Sequence, residues 1–384
     1  MTDIQFATLQ LARQLIACRS ITPADDGCLN LVASRLSAAG FRCERLDRGP
    51  VANLWARHGS SGPLVCLAGH VDVVPPGPVG EWTSDPFTPT ERDGFLYGRG
   101  AADMKASVAA MVTAAERVVR ASGGRGSVAI LLTSDEEGDA VDGTAAVVST
   151  LQARDETIDA CIVGEPTSSE RFGDTIKNGR RGSLNGRLRV HGLQCHIAYP
   201  ERGRNPVHDA SRALDALISA EWDRGNEYFQ PTSFQISNIH AGTGASNIIP
   251  GTMDVWFNFR FSPESSAPAL QARVRNILDG YRLQYDLDWT LVGEPFLTPR
   301  GSLVDALTAS VQSVAGVQPA LSTSGGTSDG RFLARLAREV VEFGPLNDSI
   351  HKIDEHVRVA DLEPLSAIYE RTILAVLGGG LGPA

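Results

Sequence analysis

A short, almost wholly apolar run followed by a stretch of helical spacing recurs along this chain. Residues 64–68, 128–132 and 158–163 are the apolar runs. Five or six residues with almost no polar break suit strands buried on both faces, as in parallel sheets. Residues 105–119 and 140–151 lie between and beyond these runs with apolar positions at helical spacing. Two more helices are expected upstream, over about 4–18 and 27–39, the second ending at Gly40. This alternation predicts an α/β domain with a central, mostly parallel sheet flanked by helices.

From Gly182 to about Leu291 the pattern changes to period-2 alternation, clearest over 183–190, 233–240 and 253–260. Helical stretches near 207–220 and 268–281 interrupt it. That reads as an α+β module with an antiparallel sheet. After Pro295 the α/β pattern returns, with helices expected over 303–314 and 329–337 and a strand over 339–343. The expected organisation is therefore one domain, 1–181 and 295–384, interrupted by another, 182–294. A length of 384 residues with 42% hydrophobic and 21% charged side chains suits two globular domains.

Forty-five acids against 35 Lys and Arg give a net charge of −10. That argues against sequence-independent binding of nucleic acid, which needs a basic surface. No apolar run approaches the roughly 18 residues of a membrane span, and the opening Met-Thr-Asp has no basic, apolar leader pattern. The six cysteines form no CxxC pair and several sit in apolar runs, so free thiols in a reducing cytoplasm are expected.

The chemistry lies where the apolar runs end. The first leads into Gly69-His-Val-Asp72, the second into Thr133-Ser-Asp-Glu-Glu-Gly138, the third into Gly164-Glu-Pro166. Ligands of open α/β sheets bind outside the carboxyl ends of the strands, so His70, Glu136, Glu137 and Glu165 are expected on one rim. Asp103 precedes a helix in Gly98-Arg-Gly-Ala-Ala-Asp-Met-Lys105, and His351 follows the last expected strand. Mixed His and carboxylate donors suit zinc or another first-row divalent ion. The set suffices for two ions if one acid bridges, the economy of two-metal hydrolytic sites. In the doublet Glu136-Glu137 one carboxylate can ligate while the other stays free as a general base. Gly98-Arg-Gly100 lacks the Lys-Ser/Thr end of a phosphate loop. HExxH is absent, so a helical zinc protease motif does not supply the chemistry.

These motifs, with Ile350-His-Lys352, resemble the M20 family of dinuclear zinc amidohydrolases and peptidases. The likeness extends over nearly the whole chain through Asn178-Gly-Arg-Arg-Gly-Ser183, His196-Ile-Ala-Tyr-Pro200, Asn238-Ile-His-Ala-Gly-Thr-Gly244, Gly325-Gly-Thr-Ser-Asp-Gly-Arg-Phe332 and Val341-Glu-Phe-Gly-Pro-Leu-Asn347. The resemblance implies two Zn²⁺ per chain, with Co²⁺ plausible in the second site. It places His70, Asp103 and Glu165 on the first ion, and Asp103, Glu137 and His351 on the second. Glu136 is the implied general base toward a water shared by the ions, and Asp72 the acceptor for the non-ligating nitrogen of His70.

The inserted module is implied to make a homodimer, with His196 and Asn247 reaching the partner's active site and His196 stabilising the oxyanion. Arg180 and Arg260 suit bidentate contacts to substrate carboxylates, and Tyr199, Asn247, Gly326, Thr327, Ser328 and Asn347 complete the implied substrate contacts. The implied reaction is hydrolysis of a small molecule, the succinyl amide of N-succinyl-LL-2,6-diaminopimelate, with an acetylated amino acid or a dipeptide as the alternative. Similar enzymes often carry Gly just before the reaching histidine, where this chain has Cys195.

Overall fold

Leu64–His70 is a strand in which all seven residues are buried, and Ser127–Thr133 is equally buried along its length. Neither has a solvent face, so both must lie inside a sheet covered on both sides. The computed structural model describes residues 7–60, 62–121 and 126–378. The chain divides into one unit of Met1–Gly179, Leu297–Ser322 and Ser328–Ala384 and a second of Arg180–Phe296 and Thr323–Thr327.

The first unit is built on an eight-stranded sheet. Its order is Arg42–Arg45, Asn53–His58, Ser127–Thr133, Leu64–His70, Ile158–Val163, Ala337–Glu342, Thr175–Lys177 and Ala320–Ser322. The four central strands, Ser127–Thr133 to Ala337–Glu342, run parallel. Asn53–His58 and Arg42–Arg45 join antiparallel on one side, and Thr175–Lys177 meets Ala337–Glu342 antiparallel on the other. The parallel character is thus concentrated at the most buried strands. Helices Ala7–Ile16, Ala106–Ala121, Ser302–Ala315 and Val359–Leu377 pack together into the main core.

Register fixes the rim. His70 pairs with Thr133, and Ala68 pairs with Val163. Ser127–Thr133 and Leu64–His70 therefore end level, Ile158–Val163 ends two residues short of His70, and the residues that follow all emerge on one rim.

Some expectations shift at their edges. Residues 4–6 of the first expected helix lie outside the described residues, and its described part is Ala7–Ile16. The helix expected over 329–337 is a single turn, Gly330–Leu333, and a strand starts at Ala337. There the pairing of Ala337 with Ile158 and of Val340 with Cys161 decides the conformation, because β-branched residues facing a neighbouring strand outweigh weak local helix preference. All six cysteines are free; Cys28, Cys66 and Cys161 are buried, and Cys18, Cys43 and Cys195 are partly exposed.

The second unit is a four-stranded antiparallel sheet ordered Ser233–Ala241, Thr252–Phe261, Gly182–His191 and Tyr285–Gly293. Alternate residues of Thr252–Phe261 are buried. Phe257 and Phe259 form an aromatic cluster with Trp222, Phe234 and Trp289. Helices Pro206–Ser219 and Ala267–Gly280 contribute to this core. Each begins at a capped end: Asn205 accepts from the Val207 amide and Ser266 from the Ala269 amide.

Candidate metal centre

His70 is the last residue of its strand and is fully buried. Its Nδ1 lies 2.9 Å from the main-chain oxygen of Asp72. A carbonyl only accepts, so Nδ1 carries a proton and Nε2 is the nitrogen left to face a metal. Nε2 lies 3.2 Å from Asp103 Oδ1 and 3.9 Å from Glu165 Oε1. Gly69, just before it, has no room for a side chain, since a Cβ there would stand 2.2 Å from the Met104 methyl. That close approach brings the Asp103 segment against the strand end.

Asp103 lies in the segment Ala101–Lys105, which leads into helix Ala106–Ala121. Its Oδ1 faces His70, and its Oδ2 lies 3.5 Å from Nε2 of His351. Nε2 of His351 is also 2.9 Å from Oε1 of Glu137. His351 has a left-handed backbone, φ 60°, a conformation His tolerates better than most side chains. Two groups of donors result, His70, Asp103 and Glu165, and Asp103, Glu137 and His351, each with its ligand atoms within 4.8 Å of one another. Mixed imidazole and carboxylate donors at this spacing, with one carboxylate offering an oxygen to each group, fit a pair of first-row divalent ions.

The doublet Glu136-Glu137 is held from behind. The Asp72 carboxylate accepts from the Glu136 amide at 3.3 Å and from the Glu137 amide at 3.1 Å. The family resemblance assigns that carboxylate to the His70 ring. Here the ring bonds to the Asp72 carbonyl at 2.9 Å with the carboxylate Oδ1 3.5 Å away, and the carboxylate in addition orients the two glutamates. Asp135 secures the same loop by accepting from the amides of Val141, Asp142 and Gly143.

Electrostatics follow this crowding of acids. Burial, and then the charge of Glu165, lifts the Glu136 carboxyl well above its ordinary range. Burial opposes the charged form of both Asp103 and His70. Their bonds to one another, and those of Asp103 to His351, outweigh it, so Asp103 sits low and His70 high. The bonds to Asp103 and Glu137 raise His351 to about 10. Burial raises Asp329 to about 6, and its charge adds to the field at Glu136.

In the second unit, His196 pairs with Ile248 across a short strand pair, beside the exposed Asn247. The Ile197 amide donates to the Asn247 carbonyl. Tyr199, half exposed, has its ring 5.8 Å from that of His196. Arg180 is buried and donates to the Ser324 carbonyl at 3.1 Å. Burial, and then the charge of Arg181 nearby, lower the proton affinity of Arg260. Sequence reasoning passed over Arg181. Gly326 is exposed, Thr327 and Asn347 are partly exposed, and Ser328 is buried with its hydroxyl donating to Glu342.

The profile of Peptidase family M20/M25/M40 matches residues 66–375. The chain belongs to this family. It is 60% identical over 368 residues to the succinyl-diaminopimelate desuccinylase of Bordetella petrii, covering 96% of this chain and 97% of that protein. It is 60% identical over 374 residues to the protein of the same name from Alkalilimnicola ehrlichii, covering 97% and 99%. Among solved structures, an M20 family metallo-carboxypeptidase from Sulfolobus solfataricus superposes with a TM-score of 0.81 at 17% identity, covering 96% of this chain and 98% of that one. A dinuclear metal binding peptidase of the M20 family from Bacillus subtilis superposes with a TM-score of 0.75 at 15% identity, covering 98% and 99%. Fold and family are thus settled. Among the described residues no helix is long and apolar enough to cross a membrane.

Proposed function

We propose that this chain hydrolyses the succinyl amide of N-succinyl-LL-2,6-diaminopimelate, releasing succinate and LL-2,6-diaminopimelate. The observation that carries the reaction class is the sharing of Asp103 between two donor groups. The substrate follows the name borne by relatives about 60% identical over nearly their full length.

His70, Asp103 and Glu165 would hold one divalent cation, and Asp103, Glu137 and His351 a second, which we take to be Zn²⁺ with Co²⁺ able to serve at the second position; when bound they would supply Lewis-acid chemistry toward the amide carbonyl and water. Glu136 accepts a proton from the attacking water and delivers it to the amine as the C–N bond breaks. A base with a raised pKa suits that exchange, since it must both take and return the proton. Asp72 keeps Glu136 aimed through its main-chain amide.

Residues 182–294 form the dimer contact in this reading. His196 of one subunit and Asn247 serve the other subunit's site, where His196 donates to the developing oxyanion. Arg180 and Arg260 bind carboxylates of the substrate. Tyr199, Gly326, Thr327, Ser328, Asn247 and Asn347 add neutral contacts. The reaction belongs to lysine and diaminopimelate synthesis in a bacterial cytoplasm, where the six cysteines stay reduced.

The test is turnover of N-succinyl-LL-2,6-diaminopimelate, N-acetylornithine and dipeptides on one preparation whose metal content is measured. The succinyl substrate is expected to be preferred by a wide margin, and chelation to abolish all turnover. Equal or faster hydrolysis of N-acetylornithine overturns the substrate assignment. Undiminished activity after removal of all metal overturns the mechanism.

A further inference from the structure

Glu355 is fully buried and lies four residues beyond His351. Its carboxylate takes four hydrogen bonds, all from one distant loop. Oε2 accepts from Arg99 Nη1 at 2.8 Å and from the Gly100 amide at 2.9 Å. Oε1 accepts from the Ala102 amide at 2.9 Å and from the Asp103 amide at 3.0 Å. The last of these donors belongs to the aspartate whose oxygens face both His70 and His351.

The surrounding contacts close the same seam. Arg99 Nη1 also donates to the Lys352 carbonyl at 3.2 Å, and the Gly98 amide donates to the Glu355 carbonyl at 3.0 Å. His356–Arg358 pairs antiparallel with Phe95–Tyr97. Trp82 covers the Arg99 guanidinium, with its ring centre 5.1 Å from Cζ. The loop that ends in Asp103 and the segment that carries His351 are therefore one clasped assembly, centred on a side chain that touches no proposed ligand atom.

We propose that Glu355 is a positioning residue for the ion-binding group, fixing where Asp103 presents its two oxygens relative to His351. The inference rests on the two-ion reading given above. Both arms of the carboxylate are needed, since each accepts two bonds. In Glu355→Gln one arm becomes an amide NH₂ that meets two donors with no acceptor between them. That arm must turn away, and the main chain at either Gly100 or Asp103 moves with it. Asp103 serves both donor groups, so its displacement weakens both ions together, unlike loss of His351, which touches one group.

The test is titration of the metal-free full chain with Zn²⁺ against a competing chelator, with thermal unfolding of the same metal-free samples. Glu355→Gln is expected to lower affinity at both sites by about 10–100-fold, the range seen when outer hydrogen-bond partners of ligands are removed. Excess Zn²⁺ is expected to restore much of the lost occupancy. If the substituted chain unfolds at lower temperature yet binds both ions as the unsubstituted chain does, Glu355 only steadies the loop and the proposal fails. Should Glu355→Gln not fold, Arg99→Lys keeps the positive charge and weakens one arm; a smaller loss at both sites supports the proposal, and unchanged affinity overturns it. Failure of the unsubstituted chain to bind two Zn²⁺ would instead overturn the two-ion reading.

Discussion

Nε2 of His351 lies 2.9 Å from Oε1 of Glu137, joining two segments separated by 214 residues of sequence. Nothing in either local sequence requires the meeting. It comes from the sheet, which ends Ser127–Thr133 beside Leu64–His70, and from the strand Ala337–Glu342, which brings the chain back to the same rim. Each donor group draws on residues far apart in the chain, yet both share Asp103. Removing a private ligand and removing the shared one therefore have different consequences. His351→Ala is expected to release one of two ions and Asp103→Ala both, read as metal content per chain after dialysis. Equal loss from the two substitutions would contradict the bridging role.

Glu136 has no place in either donor group, although it adjoins Glu137. Glu136→Gln preserves its shape and removes its ability to carry a proton. Turnover is expected to fall by roughly 10²–10⁴-fold, the usual contribution of a positioned acid or base, while two ions per chain remain bound. Substantial surviving activity would mean that another group serves as the base.

The six side chains just discussed or placed beside them, His70, Asp103, Glu136, Glu137, Glu165 and His351, were legible in the sequence. Four of them, His70, Glu136, Glu137 and Glu165, end or follow the three apolar strands that the chain's own periodicity announces, and Asp103 precedes a helix. Of the residues that support them only Asp72 was named, and for the His70 ring rather than for the amides it also holds. Glu355 binds main-chain amides 252 to 255 residues away, and Asp135 and Asp72 likewise act on amides. An amide leaves no mark in side-chain pattern, so a carboxylate that serves one looks like any other acid. The same blindness let the helix near Asp329 extend too far, because the strand pairing that ends it is a long-range contact. The free thiols followed from the absence of paired spacing, whereas the partial exposure of Cys18, Cys43 and Cys195 did not.

Asp72 offers a sharper distinction. Its carboxylate holds the amides of Glu136 and Glu137, while the His70 tautomer is fixed by its carbonyl. Asp72→Ala removes the first function and leaves the second. Activity is expected to fall about 10–100-fold, as for other outer partners of a metal site. The larger defect should lie in kcat and in the ion that Glu137 binds. A selective loss of the His70 ion, measured by metal titration, would show that the carboxylate acts on the ring after all.

Metal uptake should depend on pH with a defined sign. In the metal-free chain, Asp103 and Glu137 hold His351 protonated up to about 10, whereas an ion needs the neutral ring. Binding of Zn²⁺ near pH 7 must therefore expel a proton, and affinity must fall as pH falls. Without metal, the same raised value stabilises the fold fully below the ordinary pKa of 6.5, and the contribution is lost as pH rises through about 10. Calorimetric titration in two buffers of different ionisation heat reads the proton directly. Identical heats in both would refute the argument.

The reach of His196 is open to complementation. His196, Asn247 and Tyr199 cluster on exposed surface of the second unit, and the nearest partner of the His196 ring is the amide of Ala198, which donates to Nδ1 at 3.1 Å. That bond leaves Nε2 to carry the proton, which is the form able to donate to an oxyanion. If the histidine serves the other subunit, a chain lacking it still has an intact Glu136, and a chain lacking Glu136 still has an intact histidine. His196→Ala and Glu136→Gln chains, each inactive alone, should then regain up to about a quarter of full activity when mixed and allowed to exchange. The figure follows from random pairing, in which half the dimers are mixed and each contains one complete site. Restored turnover that tracks the measured fraction of mixed dimers supports the shared site. Confirmed exchange with no recovery would place His196 outside the partner's chemistry.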